Sequence, residues 1–233
     1  MKKNMDAAKR REAEAMYNLG NYYRDGIGVE QNVIDAARWF RKAAELGHLG
    51  AQYQLGVCYA TGEGVKQDRT EAVRWYRKVA AQGDPRAQWN LGYYHTQGLA
   101  VKKNYEKAAK WCLLAARQGL SYAQNGLGVL YRTGRGVPMN HAEAVKWFKK
   151  SAAQDNADAQ FSLGACYVRG EGVKQNLRTA YGWYLLAMSG DDAPEFKMPK
   201  EIEESLSQGE RQAARSWAGK MRRKLKAKKT EAK

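Results

Sequence analysis

The chain is 233 residues long, 44% apolar and 27% charged, and carries a net charge of +16. No apolar run approaches the roughly 18 residues that a membrane-spanning helix requires, and the basic start Met1-Lys-Lys-Asn-Met-Asp has no apolar segment behind it, so no secretory signal is legible. Three widely spaced cysteines (Cys58, Cys112, Cys166) and three histidines at unrelated positions (His48, His95, His141) predict buried free thiols, no metal or cofactor, and a reducing, cytoplasmic setting.

Residues 1–14 are charged and predict a lead-in that forms the first turn of a helix. From Ala15 onward one pattern recurs at a step of thirty-six residues in five copies: 15–50, 51–86, 87–122, 123–158 and 159–194. Leu19, Leu55, Leu91, Leu127 and Leu163 form one column; Trp39, Trp75, Trp111, Trp147 and Trp183 form another. A fixed period of this size marks a stack of identical supersecondary units, each packing only on its neighbours.

Each unit reads as two helices. In the first, Ala15, Leu19, Tyr22 and Tyr23 fall at i, i+4, i+7 and i+8, a helical stripe. The glycine after each leucine (Gly20, Gly56, Gly92, Gly128, Gly164) costs about 1 kcal/mol against alanine inside a helix, which predicts close approach of a neighbouring helix backbone. Gly26, Gly62, Gly98, Gly134 and Gly170 supply left-handed stops. The second helix begins at Asn32, Asp68, Asn104, Asn140 and Asn176, which are N-cap residues, and Asp68 with Glu71 and Asn140 with Glu143 approximate capping boxes. Ala36, Trp39, Phe40 and Ala43 then set its apolar face. Gly47, Gly83 and Gly119 close it, whereas Asp155 and Asp191 occupy that slot in the last two copies and predict slightly different turns. The Trp column is expected to be sheltered between units, so that Trp111→Ala costs about 3–5 kcal/mol.

The anchors Ala-x-x-x-Leu-Gly, Tyr, Gly-x-Gly-Val, Asp/Asn and Ala-x-x-Trp-Tyr/Phe-x-x-Ala-Ala resemble the Sel-one-like repeat, a relative of the tetratricopeptide repeat, over about residues 15–190. Departures are Ala100 for the second glycine of the third copy, His95 for its tyrosine, and Met188 at the end of the last alanine pair. The resemblance implies an all-α, right-handed superhelical solenoid that acts as an adaptor for other proteins. Exported members tie each repeat with a disulfide, and the cysteine pairs for that are missing, which fits the cytoplasmic expectation.

After Met188 the pattern stops. Pro194 and Pro199 bracket an irregular link, and Ser207-x-x-Glu210 opens a capping helix with Ala213, Ala214, Trp217, Met221 and Leu225 along one side, so that 195–233 forms a cap and basic tail. That segment holds twelve Lys/Arg against six Asp/Glu, +6 of the total. Its run Lys220-Met-Arg-Arg-Lys-Leu-Lys-Ala-Lys-Lys reads as frayed helix passing into disorder.

No residue set carries chemistry. The Gly-x-Gly-Val loop lacks the Gly-Lys-Ser/Thr of a nucleotide loop, follows a helix rather than a strand, and occurs in every copy, so it reads as a turn. No nucleophile has a positioned base in its sequence context, and nothing indicates an enzyme. The expected function lies on two surfaces. The face of the first helices opposite Leu19 is aromatic at its head: Tyr17, Asn21, Arg24, Tyr53, Trp89, Asn90, Tyr93, Asn125 and Arg132 are the candidate concave site for a protein or peptide partner, although the same aromatics would serve as packing between repeats. The second helices carry a basic convex stripe at Arg38, Arg74, Lys110 and Lys146, expected opposite the Trp/Ala face. It reads either as solvated surface or, with the basic tail, as a binder of nucleic acid or another anionic surface.

Overall fold

A computed structural model describes residues 2–190 and 197–231, and among these every regular element is a helix. The chain divides into two compact units, 1–111 and 112–233. The first contains α1 (Lys2–Asp25), α2 (Val33–Glu45), α3 (Leu49–Thr61), α4 (Arg69–Ala81) and α5 (Pro85–Gln97), and α6 (Tyr105–Arg117) crosses the division. The second contains α7 (Ser121–Thr133), α8 (His141–Ala152), α9 (Ala157–Arg169), α10 (Leu177–Ala187), α11 (Lys200–Glu204) and α12 (Gln208–Glu231). The architecture is therefore the expected all-α array of helix pairs. The lead-in 1–14 is continuous with α1, where Ala13 is already buried.

The predicted caps hold the second helices. Asn32, Asp68, Asn140 and Asn176 sit in extended backbone and accept amide N–H bonds from the first turn that follows, as in Glu143 N–H to Asn140 Oδ1 at 2.9 Å. The reciprocal half of the two capping boxes does not form, because Glu71 and Glu143 turn instead to Arg74 and Lys146 one turn later. The first helices are capped too, by a slot that no column revealed: His48, Asp84 and Asn156 each accept an amide proton through their side chains, while Leu120 in the same slot supplies none.

The helical glycines are explained by a ring. A Cβ built on Gly20 would lie 2.6 Å from Phe40, on Gly56 2.9 Å from Tyr76, on Gly128 2.5 Å from Phe148, and on Gly164 2.7 Å from Tyr184. The neighbour is thus an aromatic side chain of the second helix, not the backbone expected. It also relocates the core. Phe40, Tyr76, Phe148 and Tyr184 are 0–3% exposed, whereas every residue of the preceding Trp column is only half-buried. The leucine column is buried at Leu55, Leu91, Leu127 and Leu163 but 37% exposed at Leu19, on the open flank of α1. The three thiols are free and buried, and burial pushes Cys58 up to about 11 and Cys112 up to about 12, so neither ionises near neutrality.

In the Gly-x-Gly-Val turns the second glycine faces the preceding pair: a side chain on Gly64 would collide with the Val33 carbonyl, and one on Gly172 with that of His141. Ala100 fills this slot in the third copy and is held at φ +52°, a conformation that alanine adopts at a cost of about 1–2 kcal/mol. Ala100→Gly is expected to raise stability by about 1 kcal/mol, read as a higher denaturation midpoint at unchanged m-value. An unchanged or lower midpoint would show that the backbone strain is not stored there.

The turn after α8 departs from expectation in a different way. Asp155 keeps the left-handed conformation of Gly47, Gly83 and Gly119, at φ +64°, so the turn itself is not altered. Its side chain, 6% exposed, receives Arg222 Nη1 at 3.1 Å on each oxygen, Lys229 Nζ at 2.7 Å and Gln160 Nε2 at 3.2 Å. Asp191 and Pro194 lie outside the described residues.

The last segment is more ordered than its composition predicts. A short helix, α11, follows Pro199 and buries Ile202, with Leu206 buried just after it. Ser207 and Glu210 form a complete capping box, with Ser207 N–H donating to Glu210 Oε2 at 2.9 Å and Glu210 N–H to Ser207 Oγ at 3.3 Å. α12 then runs unbroken through the basic stretch to Glu231, burying Ala214, Ala218 and Leu225, while Ala213 is exposed. It packs on α10, where Trp217 meets Trp183 edge-to-face at 5.0 Å and sits so close to Gly182 that a Cβ there would be 2.8 Å from the indole. Gly182 is the fifth member of the slot that holds Arg38, Arg74, Lys110 and Lys146. The basic column ends there because the cap needs the space.

Candidate functional site

The predicted face is built by α1, α3 and α5 in the first unit and by α7 in the second, and each unit has its own geometry. On α1, Tyr17 is half-buried: it stacks on the His48 imidazole with centroids 4.4 Å apart and tilts against Phe40 at 5.9 Å. His48 Nδ1 accepts the Ala51 N–H at 3.0 Å, which leaves Nε2 to meet Glu14 Oε2 at 3.0 Å. Arg24 is engaged by Asp25 through two bonds of 2.8 Å, with its guanidinium 6.0 Å from the Phe40 ring. The Asn21 Oδ1 atom is buried without a donor. Tyr17 also packs on clusters that include Ala51, Leu55 and Cys58 of the second copy, so at the head of α1 packing between repeats accounts for the aromatic.

α3 and α5 arrange their residues differently. Asn90 Nδ2 donates to the Tyr53 hydroxyl at 3.5 Å, and the Arg86 guanidinium lies 4.3 Å from the Tyr53 ring centre, at cation–π distance. Arg86 is positioned by Asp84, Nη2 to Oδ2 at 2.7 Å, and Asp84 also caps α5. Burial alone would raise the Asp84 carboxyl, but Arg86 and the amides of Arg86 and Ala87 outweigh it and hold the group below the usual carboxylate range. Burial pushes the Tyr53 phenol up, so it stays protonated and can donate. One turn along α5 from Trp89, which is half-buried, Tyr93 stands 46% exposed, edge-to-face with Tyr94 at 6.3 Å. The structure thus joins Tyr53 and Asn90 and adds Arg86, which occupies a slot held in the sequence by Gly50, Tyr122, Asp158 and Pro194 in the other copies and so gave no column to notice.

On α7, Asn125 is half-buried with its Oδ1 unpaired, and Arg132 lies 5.6 Å from the Phe148 ring, repeating the relation of Arg24 to Phe40.

The basic stripe is largely spoken for. Arg38 pairs with Asp35 at 2.9 Å, Arg74 with Glu71, and Lys146 with Glu143, each one turn earlier on its own helix. Nor does the whole basic set lie opposite the indoles. Lys42, Lys78 and Lys150 reach back over Trp39, Trp75 and Trp147, with Nζ 4.2–4.3 Å from the ring centres. Spacing of three residues on a helix brings such side chains together. On α2 these residues border an open cleft of about 510 Å³ floored by Trp39 and walled by Ile34, Arg38 and Val65.

Known proteins share this construction. A protein from Oxalobacter formigenes described as a Sel1 repeat protein superposes with a TM-score of 0.72 at 34% identity, over 80% of this chain and 76% of that one. The antigen c5321 from uropathogenic Escherichia coli, described as protective and as displaying an SLR fold, gives 0.72 at 38% identity over 78% of this chain. The chain spans only 39% of that antigen's length. The immunity protein PA5088 from Pseudomonas aeruginosa, at 21% identity and a TM-score of 0.52, shares the fold. No curated protein matches. The Sel1 repeat profile matches five consecutive stretches, 13–48, 50–84, 85–120, 121–156 and 157–192, starting two residues ahead of the first frame counted from Ala15. With five matched repeats and a shared solenoid architecture, the chain belongs to the Sel1 repeat family.

Proposed function

We propose that this chain is a non-catalytic scaffold that holds a protein or peptide partner on the exposed face of α3 and α5. Sel1 repeat proteins typically serve as protein-interaction scaffolds and are generally not enzymes. The observation that carries the reading is the Tyr53–Asn90–Arg86 cluster with Tyr93 exposed beside it, since Tyr and Arg on a rigid helical platform are the residue types that dominate binding energy. Among the described residues no helix is long and apolar enough to cross a membrane. The stripe of Arg38, Arg74, Lys110 and Lys146 is a weaker candidate for an anionic surface, because three of its four members already have carboxylates.

The test is partner capture from the native host, followed by affinity measurement with Arg86→Ala, Tyr93→Ala and Trp89→Ala. Tyr93→Ala removes an exposed group, so stability should change by less than about 1 kcal/mol. Arg86→Ala also takes the guanidinium from the Asp84 carboxylate and should cost about 1–3 kcal/mol. In both, partner affinity falls at least about tenfold. If Trp89→Ala and Tyr93→Ala lower stability yet leave affinity unchanged, the face is packing and the proposal fails.

A further inference from the structure

We propose that the outward face of α12 is a docking surface for the phosphate backbone of double-stranded nucleic acid, bound without sequence preference. This surface is distinct from the α3–α5 face and stands or falls separately. Seven basic residues lie between Lys220 and Lys229, and the structure sorts them into two sets. Arg222 and Lys229 turn inward to Asp155 and hold the helix down, with Leu225 buried between them. Lys220, Arg223, Lys224, Lys226 and Lys228 are exposed, and among the described residues none of them meets a carboxylate. Lys220 and Arg223 lie on the side of the helix opposite Ala218 and Leu225, Lys224 and Lys226 flank them, and Lys228 lies nearer the buried seam.

The remaining residues of that face decide the partner. Ser216, Gly219, Ala227 and Thr230 are its uncharged members and Glu231 at its far end is acidic, all exposed, and the face has no aromatic or aliphatic anchor. A protein partner would find no hot spot to desolvate. A single strand would find no ring on which to stack its bases. A bilayer would find no apolar wedge, because Trp217 and Leu225 are committed to the fold. What such a face can grip is a dense, regular array of charge, where counterion release supplies the binding energy. Over the roughly 12 Å from Lys220 to Lys228, a duplex presents about seven phosphates. The pinning by Asp155 matters because a helix held in place presents its cations without first having to order them.

The experiment titrates the full chain into a labelled random-sequence 20-base-pair DNA duplex across 50–200 mM salt. With five phosphates neutralised, the slope of log K against log salt should be about −4.5. The variant Lys220→Gln/Arg223→Gln/Lys224→Gln/Lys226→Gln/Lys228→Gln should lose at least about a hundredfold in affinity at 50 mM salt and nearly all of the slope. A control with the same charge change elsewhere, Arg38→Gln/Arg74→Gln/Arg77→Gln/Lys110→Gln/Lys146→Gln, should stay within about fivefold of wild type. Ala227→Glu, which sets one acidic side chain at the centre of the face, should cost about tenfold and guards against a multiple variant that fails to fold. Absence of duplex binding at 50 mM salt, equal weakening by the two quintuple variants, or equal or tighter binding of single-stranded DNA, polyglutamate or anionic phospholipid vesicles would each overturn the proposal.

Discussion

Phe148→Ala is expected to destabilise the protein by about 3–5 kcal/mol, and Trp147→Ala, at the more uniform column beside it, by only about 1–2 kcal/mol. Phe148 has no exposed surface, its ring lies against Gly128, and it contacts a cluster of Val145, Ala152, Leu163 and Cys166. Removing the ring leaves a cavity bounded by a glycine with no side chain to move in, so relaxation is limited and the cost falls toward the upper end. Trp147 is half-buried with Lys150 over its face, and its truncation opens a surface notch that water can fill. Chemical denaturation of the two variants measures the difference. Equal losses would mean that the indoles carry the core as much as the rings after them.

Asp155→Ala is the second large effect, about 3 kcal/mol, because it leaves the Arg222 guanidinium at 15% exposure without its carboxylate. The same substitution also puts alanine in a left-handed conformation. Asp155→Gly separates the two costs: it restores the backbone freedom found at Gly47, Gly83 and Gly119 and should be milder by about 1 kcal/mol. Both variants should raise amide exchange and tryptic cleavage in α12 ahead of global unfolding. If α12 keeps its protection, Ala218, Leu225 and Trp217 suffice to hold it and the ion pairs are incidental.

These two sites also mark where the sequence could be read and where it could not. Periodicity located the helix pairs and their capping residues to within a residue or two, because an Asn or Asp repeated in one slot is a direct statement of local hydrogen bonding. It misjudged depth. The Trp column is uniform in all copies, whereas the slot after it runs Phe, Tyr, Cys, Phe, Tyr, yet the variable slot faces the glycine and is the deeper one. Columns register identity, and burial follows geometry. The caps of α3, α5 and α9 escaped for the same reason, since His48, Asp84 and Asn156 do one job with three chemistries. The Asp155 contacts with Arg222 and Lys229 span 67 and 74 residues and have no period at all. Two breaks in the columns did announce them: an aspartate in a glycine slot and a glycine in a basic one. For the candidate face, Tyr53, Asn90 and Tyr93 were legible from the wheel, and Arg86 was not, because it lies in the helix's first turn, where side chains reach sideways onto the neighbouring helix.

Gly182 also dictates how the protein could be lengthened. Grafting a further thirty-six-residue module behind α10 would evict Trp217 from its seat and leave a bare glycine facing the newcomer's hairpin. A duplicate of 123–158 spliced in ahead of residue 159 leaves that terminal joint untouched. Growth and shrinkage of this array are therefore tolerated at internal junctions, with the last module travelling always in company with its own lid.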